Sequence, residues 1–349
     1  MGVRLFIAMI IHLFRVGIMA TLLSTAWVDG PLYAQTPPVN GPQKVLLLNS
    51  YHKGYLWTDE ITRGVEETLA GNNIELYIEY MDTKRQYDIP YQNLLRQVLH
   101  YKHRRHHYDV IISSDNNAFD FLKNWGEQIF GKVPVVFCGV NYLQKEDVEG
   151  LDNYTGVNEK MNILGNLSLI KKLHPQQKKV IIITDNTTTG KENQKEVHRI
   201  KAQTDPADQK IDLIFDVSID ELRQTMQGLD EETVVLFTIF IRDRNDIFLG
   251  YDKGMKLVCD NTSAPIYATQ NFKPGLPVIG GYLTSGYDQG AVAASKAVDL
   301  LTGKSVSEVP IQWDTPTRAR FDYRNLKRQK ISFNHLPPGS EILHQPVSF

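Results

Sequence analysis

The chain has 349 residues and a formal net charge of −2, and 42% of its residues are hydrophobic and 22% charged. This length is sufficient for two domains of ordinary size, and the composition is that of a globular protein. The nearly balanced charge gives no reason to expect a nucleic acid as a partner.

The N-terminal segment, residues 1–34, has the pattern of a secretory signal peptide. Two apolar runs, residues 5–14 and 16–27, follow a basic start, and Ala34 supplies a small residue at a cleavage position. We therefore predict export and cleavage after Ala34, and a periplasmic or otherwise extracytoplasmic location. Neither run reaches the roughly 20 residues of a membrane-spanning helix, although an uncleaved anchor remains the alternative. Residues 35–42 are predicted to be a linker because proline and glycine interrupt them.

The first strand and the turn after it organise the rest of the chain. The continuous apolar run Val45–Leu48 predicts a buried parallel strand, which a polar and aromatic turn connects to a helix. Ligands of open α/β sheets lie at the carboxyl ends of such strands. Ser50, Tyr51, Tyr55 and Trp57 are therefore candidate ligand-binding residues. The alternative is that the aromatic side chains only cover the end of the sheet.

Strands and helices alternate along the remaining sequence. The predicted strands are Ile74–Tyr80, Val110–Ser113, Val133–Phe137, Val180–Thr184, Ile211–Val217, Thr233–Ile239, Pro265–Thr269 and Val278–Tyr282. The predicted helices are Pro90–Tyr101, Asn116–Trp125, Ile163–Leu173, Lys191–Gln203, Ile219–Leu229, Tyr251–Asp260 and Tyr287–Leu301. This alternation predicts parallel sheets with right-handed crossovers. Leu151–Lys160 is interpreted as a bridge between two similar halves.

The two halves predict two α/β lobes with a ligand-binding cleft between them. We assign residues 43–157 and 281–309 to the N-terminal lobe. Residues 158–280 and 310–349 then form the C-terminal lobe and tail.

Two polar turns precede helices in equivalent places of the two halves. Ser114, Asp115 and Asn116 form the first turn, and Asp185 and Asn186 lie in the second. Such residues cap helices, and the same groups can hold the polar end of a ligand at a helix N-terminus. Both readings remain open for these residues.

No motif predicts a cofactor or a catalytic centre. The sequence lacks a complete phosphate-binding loop, a dinucleotide fingerprint, a nucleophile elbow and an HExxH motif. A histidine cluster at positions 100, 103, 106 and 107 has spacing that could bind a metal, but the basic residues among the histidines favour a solvated helix end. We therefore expect no metal, no cofactor and no enzymatic activity. Cys138 and Cys259 are expected to be buried free thiols in different lobes.

Several stretches are similar to a known family. VLLLNSYHKGYLWTDEITRG, VIISSDNNAFDFLKN, KVPVVFCGVNY, NYTGV and LHPQQKKVIIITDN resemble type I periplasmic binding proteins of the ABC-transporter substrate-binding group. GLPVIGGYLTSGYDQGAVAASKAVDLLTGKSVSEVPI, FDYRNLKRQKI and LPPGSEILHQPVSF resemble the extracytoplasmic sensor domains of bacterial histidine kinases. A transmembrane helix follows a similar sequence in those receptors, whereas this sequence ends at Phe349. We therefore expect a free-standing relative, or the sensor end of a truncated or split receptor.

The resemblance implies a two-lobed type I periplasmic-binding-protein fold, in which each lobe is a parallel sheet with helices on both faces. It implies a ligand between the lobes, in contact with Ser50, Tyr51, Trp57, Ser114, Asp115, Asn116, Asn141, Asp185 and Asn186. The expected function is capture of a small organic solute, such as an amino-acid-like one, for a membrane permease of an ABC importer. The alternative is ligand sensing for a membrane receptor, and an enzyme is the least favoured reading because no nucleophile is paired with a base.

Overall fold

The computed structural model describes residues 41–205 and 209–346. The predicted signal peptide, residues 1–34, lies outside the described residues, as does most of the predicted linker. Within the described ranges, no helix combines the length and the apolar character that crossing a membrane requires.

The described chain alternates between strands and helices, as the sequence predicts. The strands are β1 (Gln43–Asn49), β2 (Ile74–Tyr80), β3 (Val110–Ser114), β4 (Val135–Asn141), β5 (Tyr154–Glu159), β6 (Lys179–Ile183), β7 (Lys210–Ile214), β8 (Thr233–Phe237), β9 (Ile266–Ala268), β10 (Val278–Thr284), β11 (Thr317–Asp322) and β12 (Glu341–Leu343). The helices are α1 (Leu56–Leu69), α2 (Ile89–His103), α3 (Asp115–Phe130), α4 (Ile163–Leu173), α5 (Thr188–Gln203), α6 (Ile219–Gln227), α7 (Tyr251–Asp260), α8 (Gly286–Leu301) and α9 (Tyr323–Arg328).

The first sheet contains five parallel strands in the order β2-β1-β3-β4-β5. Helices α1 and α8 pack on one face, where Val45 and Leu47 of β1 are fully buried. Helices α2 and α3 pack on the other face against Leu46 and Leu48. Both faces of β1 are therefore covered, which explains its continuous apolar sequence.

The second sheet contains seven strands in the order β12-β11-β10-β9-β8-β6-β7. Helices α4, α5 and α9 pack on one face, and α6 and α7 pack on the other. The predicted parallel sheet with helices on both faces is confirmed as the core of this lobe, and the structure adds one antiparallel pairing, between β10 and β11. The chain leaves β10 at its carboxyl end, forms α8 against the first sheet, and re-enters the second sheet at Thr317, opposite Thr284. It therefore runs back along β10, whereas a parallel partner would need a crossover on the same sheet.

The stretch interpreted as a bridge, Leu151–Lys160, contains β5 at the edge of the first sheet. The chain passes between the sheets after Glu159, after Thr284 and before Thr317. The predicted boundary at residues 280 and 281 falls within β10, which belongs wholly to the second sheet. The division into two lobes at the predicted residues stays a prediction.

Helix α8 is held against the first lobe by close backbone contacts. A Cβ atom on Gly64 of α1 would lie 2.3 Å from the carbonyl oxygen of Tyr287. A Cβ atom on Gly290 of α8 would lie 2.2 Å from the carbonyl oxygen of Ile61. Only glycine allows the two helices to approach this closely.

The side chain of Gln289 extends from α8 to the first sheet. Its Oε1 accepts a hydrogen bond from the Gly139 N–H at 3.0 Å, and its Nε2 donates to the carbonyl oxygen of Asn158 at 3.2 Å. These bonds satisfy backbone groups where the pairing of β4 and β5 shifts register. Helix α8 thereby fixes the carboxyl ends of both strands, which border the cleft described next.

Candidate ligand-binding site

Three adjoining spaces lie between the carboxyl ends of the two sheets. We call them the first cleft, of about 390 Å³, the second cleft, of about 250 Å³, and the central cavity, of about 20 Å³. Tyr51 and Lys84 line both the first cleft and the central cavity. Tyr55, Trp57 and Gln270 line both the central cavity and the second cleft. The three spaces therefore form one region whose centre is almost filled by protein side chains.

The aromatic turn after β1 forms one wall of this region, as the sequence predicts. The rings of Tyr51 and Tyr55 meet edge to face with their centroids 5.6 Å apart. The indole Nε1 of Trp57 donates a hydrogen bond to Asp115 Oδ1 at 2.9 Å. The turn is thus connected directly to the polar turn after β3.

Ser50 lies beneath this wall and is fully buried. Its hydroxyl donates to the carbonyl oxygen of Ser114 at 2.6 Å and accepts from the N–H of Ala118 at 2.8 Å. Ser50 therefore caps α3 from a different strand, and the Ser114 side chain makes no capping bond. Neither serine lines the three spaces, so the structure places both behind the candidate site.

Asp115 lies at the start of α3 with a left-handed backbone, φ 69°. Its carboxylate accepts from Trp57 and, at 2.8 Å, from the hydroxyl of Ser114. The side chain points to the central cavity rather than to the helix N–H groups, and the residue is only 2% exposed. Burial raises the pKa of Asp115 to about 6, against the opposing effects of Ser114, Lys84 and Trp57.

Asn116 and Asn141 connect the turns after β3 and β4. Oδ1 of Asn116 accepts from the backbone N–H and from Nδ2 of Asn141, at 3.1 and 2.9 Å. Asn116 lines the first cleft and Asn141 lines the central cavity. Oδ1 of Asn141 is buried and finds no partner in the described part of the chain. This orphan acceptor is available to a ligand N–H or O–H group.

The equivalent turn of the second lobe has a different arrangement. Asp185 Oδ1 accepts from the N–H and hydroxyl of Thr187, and Oδ2 accepts from the N–H of Ile241 at 2.8 Å. Asp185 does not line the three spaces, and its bonds orient the loop after β8. Asn186 lines the first cleft and donates to Asp216 at 2.7 Å.

Lys84 and Glu159, which no sequence pattern indicated, both line the central cavity. Glu159 ends β5 and is only 2% exposed. Burial is the main cause that raises the pKa of Glu159 well above its ordinary value, and Asp115 adds to it. Two buried carboxylates therefore face one lysine across a space that holds about one water molecule.

Hydrogen bonds cross between the two lobes around this cavity. Gln270, which follows β9, donates to Glu159 at 3.4 Å. Nη2 of Arg242 donates to the carbonyl oxygen of Lys84 at 3.1 Å. The hydroxyl of Tyr142 donates to Asn193 of α5 at 2.9 Å. The lobes thus contact each other directly through polar groups on both sides of the cavity.

The histidine cluster lies outside the cleft. Buried His103 contacts the hydroxyl of Tyr108 at 2.6 Å and lies 3.4 Å from Glu79. In the described ranges, no group of three or more histidine, cysteine, aspartate or glutamate side chains could hold a metal ion. Cys138 and Cys259 are buried free thiols in the first and second lobes.

The fold and the cleft define a two-lobed binding protein of the type I periplasmic-binding-protein class. The family model for ABC transporter substrate binding proteins matches residues 57–335. The chain therefore belongs to this family of substrate-binding proteins. No curated protein sequence matches the chain significantly.

Solved structures with low sequence identity share the fold. An ABC domain from Streptococcus pneumonia, solved in complex with L-Trp, has a TM-score of 0.60 at 14% identity, covering 86% of this chain and 99% of that chain. A ligand-free, open substrate binding protein with adhesive properties from Clostridium difficile has a TM-score of 0.59 at 15% identity, covering 87% and 100%. A conserved domain protein from Vibrio cholerae has a TM-score of 0.59 at 14% identity, covering 86% and 99%. These similarities confirm the predicted fold class.

Proposed function

We propose that this protein closes on a small organic solute between its two lobes and delivers the solute to the permease of an ABC importer. Membership of the substrate-binding family supports the general role. The central cavity carries the proposal for this chain, because aromatic and polar side chains from both lobes converge there. The solute would enter when the lobes separate at the hydrogen bonds that now cross the cleft.

The proposed contacts of the first lobe divide by chemistry. Tyr51, Tyr55 and Trp57 offer apolar ring surface to a planar or aliphatic part of the solute. Asp115 and Asn141 offer acceptors to an ammonium or N–H group. Asn116 and Asn186 are proposed to contact a solute that extends into the first cleft. We propose that Ser50, Ser114 and Asp185 do not contact the solute and only hold in place the turns that carry the contact residues.

We propose that the solute is released unchanged rather than transformed. Ser114 donates to a carboxylate, as a nucleophile beside a base would, but it is fully buried behind the cavity. Burial raises the pKa of the Cys138 thiol well above its ordinary value, which disfavours the reactive thiolate. A binding role needs neither group to react.

Ligand-dependent melting against a panel of amino acids, amines, sugars and other metabolites tests the binding role. A solute at about 100 times its dissociation constant adds about 2.7 kcal/mol to the free energy of unfolding. We expect at least one class of solute to raise the melting temperature. Failure of the whole panel would contradict the proposal.

The alternative is a ligand-sensing module that reports to a membrane receptor. It is supported by the likeness of residues 275–311 and 321–331 to extracytoplasmic sensor domains. Uptake of the labelled solute by a strain that lacks this gene separates the two roles. Loss of uptake supports the importer, whereas normal uptake with a lost transcriptional response supports the sensor.

A further inference from the structure

Helix α2 carries apolar side chains on the side that faces away from its own lobe. Leu94, Val98 and Tyr101, which we call the α2 stripe, are 58%, 52% and 66% exposed. Their spacing of four and three residues places them on one side of the helix. Leu99 and His103, which pack into the core of the first lobe, lie roughly 150° away around the helix axis. The helix is therefore apolar on two opposite sides.

The α2 stripe is the main concentration of exposed apolar surface in the described chain. Half of the large hydrophobic side chains that are exposed in residues 41–205 and 209–346 lie on α2, because Ile89 is exposed as well. Single exposed apolar residues need no explanation, whereas contiguous ones mark a surface that another molecule covers. Leu94, Val98 and Tyr101 do not line the two clefts or the central cavity. The stripe therefore belongs to a surface other than the candidate ligand-binding site.

The charges of α2 are divided between its two ends. Asp88 caps the N-terminus, where its carboxylate accepts from the N–H of Tyr91 at 2.9 Å. Lys102, Arg104 and Arg105 make the C-terminal end basic, and all three are exposed. Two copies of α2 packed antiparallel would place the acidic end of each helix at the basic end of the other. A parallel arrangement would place like charges side by side, which is unfavourable.

The stripe is also complementary to itself. A two-fold contact requires each patch to meet the same patch of the partner. If the axis passes through Val98, Leu94 of one copy packs beside Tyr101 of the other, because these residues lie four and three positions from Val98 in opposite directions. A groove of about 170 Å³ between α2 and α3, lined in part by Gln97 and Ile129, lies beside the stripe. The ring at the end of the stripe in the second copy can enter this groove.

We propose that the α2 stripe is the contact between two copies of this chain, packed antiparallel about a two-fold axis at Val98. A standard interface buries about 800 Å² on each partner. The three side chains of the stripe cannot supply this area alone, so the contact includes the groove beside α3 and the charged ends of the helix. The inference does not depend on the proposed binding function, because it uses none of the residues that line the clefts.

Sedimentation equilibrium over a range of concentrations tests for the dimer. We expect the parent protein to dimerise as its concentration rises. Val98→Glu should weaken the association at least about 10-fold, because two carboxylates would meet at the axis. Asp88→Asn keeps a capping side chain but removes its charge, so it should weaken the dimer at low salt and have little effect at high salt. Leu164→Glu, which changes an exposed residue of α4, is the matched control and should associate as the parent does.

Disulfide cross-linking tests the geometry of the contact. Cys138 and Cys259 are buried, so they should not compete with a thiol introduced on the stripe. With copper–phenanthroline as the oxidant, Val98→Cys should form a covalent dimer, because a disulfide requires Cα atoms within about 7 Å. Leu94→Cys should not cross-link with itself, because its two copies would lie about 12 Å apart along the helix axis. A mixture of Leu94→Cys and Tyr101→Cys should cross-link.

Several results would overturn the inference. A parent protein that remains monomeric up to about 1 mM lacks the contact. A dimer that Val98→Glu leaves intact uses another surface, and efficient cross-linking of Leu94→Cys with itself would indicate parallel helices. If the parent is monomeric and binds anionic lipid vesicles through the stripe, a membrane surface rather than a second copy covers α2. Circular dichroism confirms folding, and Val98→Lys replaces Val98→Glu if that variant does not fold.

Discussion

Replacement of Asp115 by asparagine should stabilise the ligand-free protein at neutral pH. The pKa of Asp115 is raised by burial from 3.8 to about 6, so the native state holds the proton more tightly than the unfolded chain does. At 1.36 kcal/mol for each pKa unit, the ionised carboxylate costs about 3 kcal/mol of stability. Asparagine has the same shape, tolerates the left-handed backbone and still accepts from Trp57. Asp115→Asn should therefore gain up to about 3 kcal/mol at pH 7.

The pH dependence identifies the cause of this gain. The raised pKa of Asp115 does not lower the free energy of unfolding below pH 3.8, where the carboxyl is protonated in both the folded and the unfolded states. The cost grows as the pH rises from about 4 to about 6 and stays constant above that. The difference in stability between Asp115→Asn and the parent protein should follow the same course. Glu159 lines the same cavity, and its pKa should fall in the variant because the Asp115 charge is one cause that raises it.

Urea unfolding at pH 4, 5, 6 and 7 measures the difference directly. Asp152→Asn, which changes an exposed carboxylate, is the matched control and should have no comparable effect. Titration calorimetry should show that Asp115→Asn weakens binding of ammonium-bearing solutes, even though the protein is more stable. A variant that is less stable than the parent at pH 7, or whose gain is the same at every pH, would refute the reasoning.

Three further predictions concern the aromatic wall, the packing of α8 and export. Trp57→Ala should weaken binding of the solute by about 2 kcal/mol because it removes a central aromatic surface. The control Tyr101→Ala, which changes an exposed residue, should bind as the parent does. If calorimetry finds the affinity of Trp57→Ala unchanged, the loop only covers the sheet. Gly64→Ala should destabilise the protein by about 1–3 kcal/mol because its Cβ would meet a backbone oxygen of α8. The control Gly126→Ala meets only a side chain at 3.4 Å and should be neutral or stabilising in thermal melting, so equal effects of the two substitutions would contradict the close packing. Mass spectrometry of the exported protein should find a new N-terminus after Ala34, and an intact start on membrane-bound material would instead indicate an anchor.

Local sequence patterns predicted most elements of the fold. The helices Ile163–Leu173 and Tyr251–Asp260 begin and end where the sequence places them. Ser218, a residue type that favours helix N-termini, caps α6, and its hydroxyl accepts from the N–H of Glu221. Capping residues and apolar periodicity are local signals, so they survive in any tertiary context.

Elements whose stability comes from distant partners could not be predicted from local sequence patterns. Strand β5 contains Gly156 and Asn158, which weaken any strand signal, and it is completed by pairing with β4 and by bonds to Gln312. Strand β11 runs antiparallel to β10 because α8, which connects them, packs against the other sheet. No local sequence pattern indicates this packing. These two features have one origin, because both elements lie where the chain passes between the lobes.

The same limit explains which site residues were found. The criterion of a polar turn after an apolar strand found Tyr51, Trp57 and Asp115 at the ends of β1 and β3, whereas Asn141 was implied by the family resemblance. It also selected Asp185, because the sequence cannot show that this carboxylate is already used by backbone N–H groups of its own lobe.

Applied to every predicted strand, the rule of carboxyl ends would have added Lys84, whereas Glu159 could not be found because β5 was not predicted. Lys84 follows β2, and Glu159 is the last residue of β5. Each of the five parallel strands of the first sheet therefore ends in a residue that lines the central cavity or is followed by one within four residues. Two carboxylates and a lysine come together here from strands that lie far apart in sequence. Their proximity can therefore be recognised only when the order of the strands in the sheet is known.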